Sequence, residues 1–293
     1  MEDKATSEKR RLTKASAQAW HGQRSHYVLA TGEAGAERLR VVQSVHGPDT
    51  KRLLLRAGLS QGMKVADLGC GIGVISCWMA KQVGPTGAAY AIDISPEQIA
   101  LARKESEHRN LQNIHFLVAS AEATGLPRES FDLVYCRFLL MHLVRPLDAL
   151  REMRDLLRPG GLLVCEEGDF ASPFCQPPSA AFDRGFELYR ALGTQRGADF
   201  CIGPKLYRLF LEIGMPSPKV ALAQPVFVRG VAKRLPEWTL TECAPALLQA
   251  GLSTPEEIDR ITAEMKTLAE DETTLIGMAR MTQVWARKPE KGA

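Results

Sequence analysis

The 293 residues carry a formal net charge of only +3, with 24% of them charged, and no dense basic block. That balance argues against a partner held through phosphate contacts, so no nucleic acid is expected. Hydrophobic residues make up 45% of the chain, enough for one large domain or a core with a cap, and no apolar run is long enough for a membrane span.

In chain order, residues 1–18 are polar and read as a flexible tail. Residues 19–48 hold Trp20, Tyr27, Leu29 and Leu39–Val42, enough for one or two short helices forming a lid, and Pro48 is expected to break the chain. Thr50 to Leu59 then reads as a helix. Strand and helix alternate from there. Val65–Leu68 is a strand, Val74–Gln82 a helix and Ala88–Ile92 a second strand. Ser95-Pro96-Glu97-Gln98 is a capped helix start with proline at the first helical position. Ile114–Val118 and Asp132–Cys136 are further strands. A helix follows from Pro146 to Leu157, then a turn at 158–161 and a fifth strand, Leu162–Glu166. Such alternation implies parallel strands with right-handed crossovers, with ligands at the carboxyl ends of the strands. The core is expected over 49–170.

Plain alternation ends there. Within 171–293, Ser179–Leu192 reads as a helix with Phe182, Phe186 and Tyr189 on one face, and Pro204–Ile213 as another. Lys219–Val228 is expected to be strand six and Met281–Arg287 a short final strand. Residues 231–280 between them read as a helical insertion. Gly251 can close its first helix. Thr254-Pro255-Glu256-Glu257 caps its second, which has Ile258, Ile261, Met265 and Leu268 at helical spacing. Insertions at the ligand edge shape substrate pockets, so a cap is predicted. A dimerisation element is nearly as good a reading, which leaves a homodimer open. The seven cysteines, at 70, 77, 136, 165, 175, 201 and 243, contain no C-x-x-C pair. They read as buried thiols of a cytoplasmic protein. No histidine or cysteine set has metal spacing.

The chemistry concentrates in Val65-Ala66-Asp67-Leu68-Gly69-Cys70-Gly71-Ile72-Gly73, with Asp93 twenty residues after Gly73. A buried strand runs into a tight glycine turn, and the next strand ends in a carboxylate that can take ribose hydroxyls. The spacing is G-x-G-x-G rather than the G-x-G-x-x-G of dinucleotide sites. A pyrophosphate would be repelled by Asp67, whereas a cofactor with a cationic end and no phosphate suits it.

These residues resemble motif I of the class I S-adenosylmethionine (SAM)-dependent methyltransferases, and Asp93 resembles the acid that closes their second strand. The resemblance covers 49–168, with weaker likeness at 27–40. It implies an α/β, Rossmann-like, doubly wound, seven-stranded mixed sheet whose last strand is antiparallel, with an N-terminal helical lid and a C-terminal helical insertion. It further implies a cofactor held by Asp67, Gly69, Cys70, Gly71, Gly73, Asp93 and Ile94. The adenine would meet Ser120 and the Ala121 backbone; the family has an acid or amide where this chain has Ser120. The backbone just after the fourth strand, at Cys136 and Arg137, would hold the methionyl amino group, and Tyr27 and Arg38 of the lid would lie over the methionyl end. The (Asp/Asn)-Pro-Pro-(aromatic) turn of base-amine methyltransferases is missing after Tyr135. His142 and Glu167 are the candidate bases, each with a bland alternative: a helix residue that packs locally, and a carboxylate at a strand end. The expected reaction is methyl transfer to N, O or C of a small molecule, with S-adenosylhomocysteine (SAH) as product. The alternatives are a quinone- or lipid-pathway C-methyltransferase and a non-catalytic SAM-binding regulator. An NAD-dependent oxidoreductase is disfavoured.

Overall fold

The computed structural model describes Leu29 and residues 32–290. Helix α1 (Glu33–Ala57) leads into β1 (Lys64–Leu68), α2 (Val74–Val83), β2 (Ala88–Asp93), α3 (Pro96–His108), β3 (Ile114–Val118) and β4 (Phe131–Arg137). Then come α4 (Pro146–Leu156), β5 (Leu157–Asp169), β6 (Phe174–Gln176), α5 (Ala180–Gln195) and α6 (Leu206–Glu212). The chain closes with β7 (Lys219–Ala223), β8 (Val226–Phe227), α7 (Leu235–Gln249), α8 (Pro255–Glu270), β9 (Leu275–Gly277) and β10 (Arg280–Arg287).

Seven strands form one sheet in the order β3-β2-β1-β4-β5-β10-β7. The strands β1 to β5 are parallel, and β10 runs antiparallel to both neighbours. The mixed sheet with its last strand reversed is therefore present. Pleating sorts the side chains to the two faces. In β4, Leu133 and Tyr135 join Leu53, Met79 and Trp285 in one core, while Val134 and Cys136 join Leu150, Met153 and Cys165 in the other. Register aligns Leu68 with both Ile92 and Cys136, so β1, β2 and β4 end along a common edge.

Three expectations are corrected. Pro48 does not break the chain: α1 runs through it as one helix of 25 residues. Proline forfeits one backbone bond there, but packing fixes both flanks. Leu53 and Leu54 are buried, and Arg137 donates to Gln43 before the proline and to Thr50 after it. The expected lid–core boundary at 48/49 thus falls inside one helix. The fifth strand is longer than expected, because 157–161 continue it through an irregularity in which the Gly160 N–H donates to Lys288 O. The expected sixth strand divides at Gln224-Pro225: β7 stays in the main sheet, while β8 joins β6 and β9 in a small second sheet. The two insertion helices form as expected, and Thr254 caps the second by accepting the Glu257 N–H.

Candidate functional site

A cavity of about 780 Å³ opens over the aligned strand ends, beneath α1 and the insertion helix α7. That is within the usual range of roughly 300–1,000 Å³ for small-molecule sites. By origin its lining falls into two lobes, one of residues from the ends of β1, β2 and β3, the other of residues following β4 and β5 and preceding β10.

The glycine turn builds the first lobe. The N–H groups of Gly69 and Cys70 both donate to Ile92 O, which ties the turn to the end of β2. The Asp93 carboxylate accepts from the Gly71 N–H at 2.9 Å and from the Ser95 N–H at 3.0 Å. Burial raises the Asp93 pKa, and the N–H donors of Ser95 and Gly71 oppose that rise. Gly69, Cys70, Gly71, Asp93, Ile94, Ser120 and Ala121 all line this lobe. Gly71 has φ +53°, and a Cβ there would meet nothing nearer than Leu39 at 3.9 Å, so any side chain would project into open space.

Two expected contacts in the motif lie behind the wall. Gly73 does not face the cavity: a Cβ on it would sit 2.6 Å from Ala102 Cβ, so this glycine allows α2 and α3 to pack. Asp67 is 3% exposed, and its carboxylate accepts from the Ser76 hydroxyl in the first turn of α2. Burial pushes its pKa up to about 7, against the opposing effects of Ser76 and the Arg137 charge. Asp67 thus braces the turn and acts on the cavity only through its field.

At the end of β4, alternation turns Tyr135 and Arg137 to the cavity and sends Cys136 into the core beside Cys165. The Cys136 side chain is therefore not part of the wall, which leaves only its backbone at the strand end. Arg137 spans to α1 through Thr50 Oγ1 at 2.8 Å and Gln43 Oε1 at 2.6 Å. Phe138 follows with φ +52°, a left-handed conformation uncommon outside glycine and typical of functional sites.

Neither acid of the Glu166-Glu167 pair reaches the cavity. Glu166 accepts from the Tyr135 hydroxyl and the Gln283 amide. Glu167 is fully buried and accepts from the backbone N–H groups of Leu139 and Leu140 at 2.9 and 2.8 Å, with Met141 more distant at 3.4 Å. Burial outweighs those donors and pushes its pKa up to about 8. Glu167 therefore holds the 139–142 turn in place instead of meeting substrate. A strand-end carboxylate looks catalytic in sequence, but here the adjacent turn needs an acceptor.

His142 does line the cavity, edge-on to Phe200 at 5.3 Å between ring centres. Burial, reinforced by the Arg38 charge, lowers its pKa to about 3. A base that holds a proton so weakly is poorly matched to proton removal at neutral pH. Arg38 also lines the cavity. Its Nε donates to both carboxylate oxygens of Glu242 at 2.9 Å, so a buried ion pair ties α1 to α7. Tyr27 lies outside the described residues.

Two wall residues escaped the sequence reading. Gln98 is 3% exposed, and its Oε1 has no hydrogen-bond partner among the described residues. In a capping box its side chain would return to the Ser95 N–H, but Asp93 already holds that donor and the amide is left facing the cavity. His46, on α1, contacts Phe138, and burial followed by the Arg137 charge lowers its pKa to about 3. Among the described residues no group of three or more histidine, cysteine or acidic side chains is placed to hold a metal.

The reversed last strand, the strand order and the glycine turn facing Asp93 define the class I methyltransferase fold. Residues 59–202 match the family model described as a methyltransferase domain. Aklanonic acid methyltransferase DauC of Streptomyces sp. (strain C5) is 38% identical over 119 residues, covering 40% of this chain and 54% of that protein. The ubiquinone/menaquinone biosynthesis C-methyltransferase UbiE of Hahella chejuensis is 32% identical, over 46% of this chain and 52% of its own. The solved structure of the YcgJ protein from Bacillus subtilis superposes with a TM-score of 0.57 at 15% identity, over 84% of this chain and all of that one. The chain spans about half the length of the curated relatives it matches. Residues 59–202 are thus similar to a methyltransferase domain, on a sheet of the class I methyltransferase fold.

Proposed function

We propose that the cavity binds SAM and that the protein transfers its sulfonium methyl group to a small-molecule acceptor. The observation that carries this is the shared wall of the glycine turn and Asp93, with the Asp93 carboxylate both bonded to Gly71 and open to the cavity. The donor set fits the cofactor. Asp93 offers an acceptor for ribose hydroxyls, and the orphaned Gln98 amide oxygen offers another. Ile94 and the Ser120–Ala121 segment supply the adenine wall. Asp93 at the turn, with Asp67 behind it, disfavours a pyrophosphate there. SAM supplies a methyl group on an excellent leaving group. What the chain supplies is alignment and exclusion of water, which alone can account for several orders of magnitude in rate.

The match to DauC supports a small organic acceptor. Carbon methylation of a quinone-type ring is the second reading, supported by the UbiE match. Among the described residues no helix is long and apolar enough to cross a membrane. The seven free cysteines support a cytoplasmic location. Calorimetric titration with SAH, with NAD as control, tests the site. Micromolar or tighter SAH binding without an NAD signal is expected; a preference for NAD removes the reading.

A further inference from the structure

The second lobe of the cavity has its own chemistry. The lining rings make edge and tilted contacts, His46 to Phe138 at 5.1 Å, Phe138 to Phe170 at 6.2 Å and Phe170 to Tyr189 at 5.0 Å, and Phe200 packs behind the wall, linking Tyr189 at 4.4 Å to His142 at 5.3 Å. A histidine thus stands at each end of an aromatic arc. Leu235 and Pro236 of α7 and Met278 before β10 close the other side. Such a chamber suits a flat ring system, since aromatic faces and edges pack on one another at these distances.

Charge in the cavity is distributed unevenly. Among the described lining residues the carboxylates are Asp93, Glu97 and Glu122, and all three follow β2 or β3, on the cofactor side. The described titratable groups toward the aromatic lobe are His46 and Arg38 from α1, Tyr135, Arg137, His142 and Arg145 from the end of β4 and the segment after it, and Tyr189 from α5. Glu242 neutralises Arg38, and the acids Glu166 and Glu167 of β5 are turned to other partners. Both histidines are neutral, because burial lowers each to about 3. Among the described residues the lobe therefore holds no unpaired anion to receive an ammonium group and no histidine poised near neutrality. Neutral imidazoles can donate to an oxyanion.

We infer that the acceptor is a flat aromatic molecule that presents an already ionised oxygen, and that no described side chain of this lobe removes a proton from it. The inference rests on the methyltransferase reading above. The acceptor oxygen supplies the electron pair of the new O–C bond, the S–C bond breaks with its pair left on sulfur, and no proton is transferred. An anionic acceptor becomes a neutral methyl ether or ester.

The test uses the full chain saturated with SAH and two probes with the same ring system: 2-naphthoate, an anion at neutral pH, and 2-(aminomethyl)naphthalene, a cation. Calorimetry should show naphthoate at least tenfold tighter. It should show no proton uptake between pH 6.5 and 8 when the titration is repeated in buffers of different ionisation enthalpy. Phe170→Leu should weaken naphthoate at least fivefold and leave SAH affinity unchanged. If that variant fails to fold, Tyr189→Leu makes the same comparison. Equal or tighter binding of the amine overturns the inference, as does binding of neither probe, uptake of about one proton, or naphthoate affinity indifferent to the aromatic substitution. Failure of SAH itself to bind would remove the underlying reading, and this one with it.

Discussion

The last two glycines of the turn, Gly71 and Gly73, differ in what surrounds them, and alanine at each should separate binding from folding. Both have positive φ, +53° at Gly71 and +76° at Gly73. A left-handed alanine costs about 1–2 kcal/mol at either position. Beyond that the surroundings decide. At Gly71 the new methyl group has 3.9 Å of clearance and projects into the cavity, so Gly71→Ala should lose little more stability than the conformational cost. It should weaken SAH at least tenfold by filling the ligand's space. At Gly73 the methyl group would lie 2.6 Å from Ala102 Cβ and 3.0 Å from its Cα, a backbone atom that cannot rotate away. Overpacking of this kind adds roughly 1–3 kcal/mol. Gly73→Ala should therefore be destabilised by about 2–5 kcal/mol in all. Its folded fraction should bind SAH far better than Gly71→Ala does. Urea unfolding and SAH calorimetry on both variants measure this. Equal stabilities, or a Gly71→Ala protein with undiminished SAH affinity, would refute the assignment of Gly71 to the wall and Gly73 to the helix contact.

Four other outcomes are expected. Asp93→Ala should weaken SAH by on the order of 1.5–3 kcal/mol, since it removes a charged acceptor; an equal loss for a ribose-modified analogue would argue against the ribose role. Arg38→Ala removes the Nε donor that Glu242 holds in a largely buried place and should cost roughly 3 kcal/mol in urea unfolding. Partial recovery in Arg38→Leu/Glu242→Leu is expected, and no difference between the single and double variants counts against the pair. Glu167 keeps its proton in the folded state up to about pH 8, whereas the unfolded carboxyl loses it near 4.5. Its contribution is thus full below pH 4.5 and is lost as pH rises through 8. Stability at pH 5 minus stability at pH 8 should therefore be larger in the wild type than in Glu167→Gln, and identical differences would contradict the burial argument. His142 has the opposite sense, being lowered to about 3 from 6.5, so the unfolded state takes up a proton first and stability drains as pH falls from 6.5 towards 3. His142→Phe should show a shallower decline between pH 7 and 5, and an unchanged slope would show that the imidazole is not buried as described.

The architecture was legible because it rests on patterns local in sequence. The Ser95 cap accepts the Gln98 N–H as the motif predicts, and β3 spans the expected residues. The errors lie where distant contacts override local rules. Pro48 reads as a break, yet Arg137, some ninety residues on, bonds to both sides of it. Glu167 reads as an exposed strand end, yet the 139–142 turn closes over it. Within the glycine motif, sequence order does not tell which of Asp67, Gly71 and Gly73 faces the ligand. That depends on where α2 and α3 sit, which emerges only when the sheet is assembled. Gln98 went unnoticed because its motif already explained it as a cap.

The continuity of α1 also bears on how molecules enter and leave. A helix hinged at Pro48 would swing aside as a flap. This one is a beam with one end set in the core by Leu53 and Leu54 and the other tied to α7 through Arg38. A beam held at two points does not open a door. The lining residues that are themselves exposed are Glu97, Val144 and Arg145, at the starts of the segments after β2 and β4. Among the described residues the cavity thus meets solvent at that rim, where substitutions at 144 and 145 change side-chain size without touching the buried walls within.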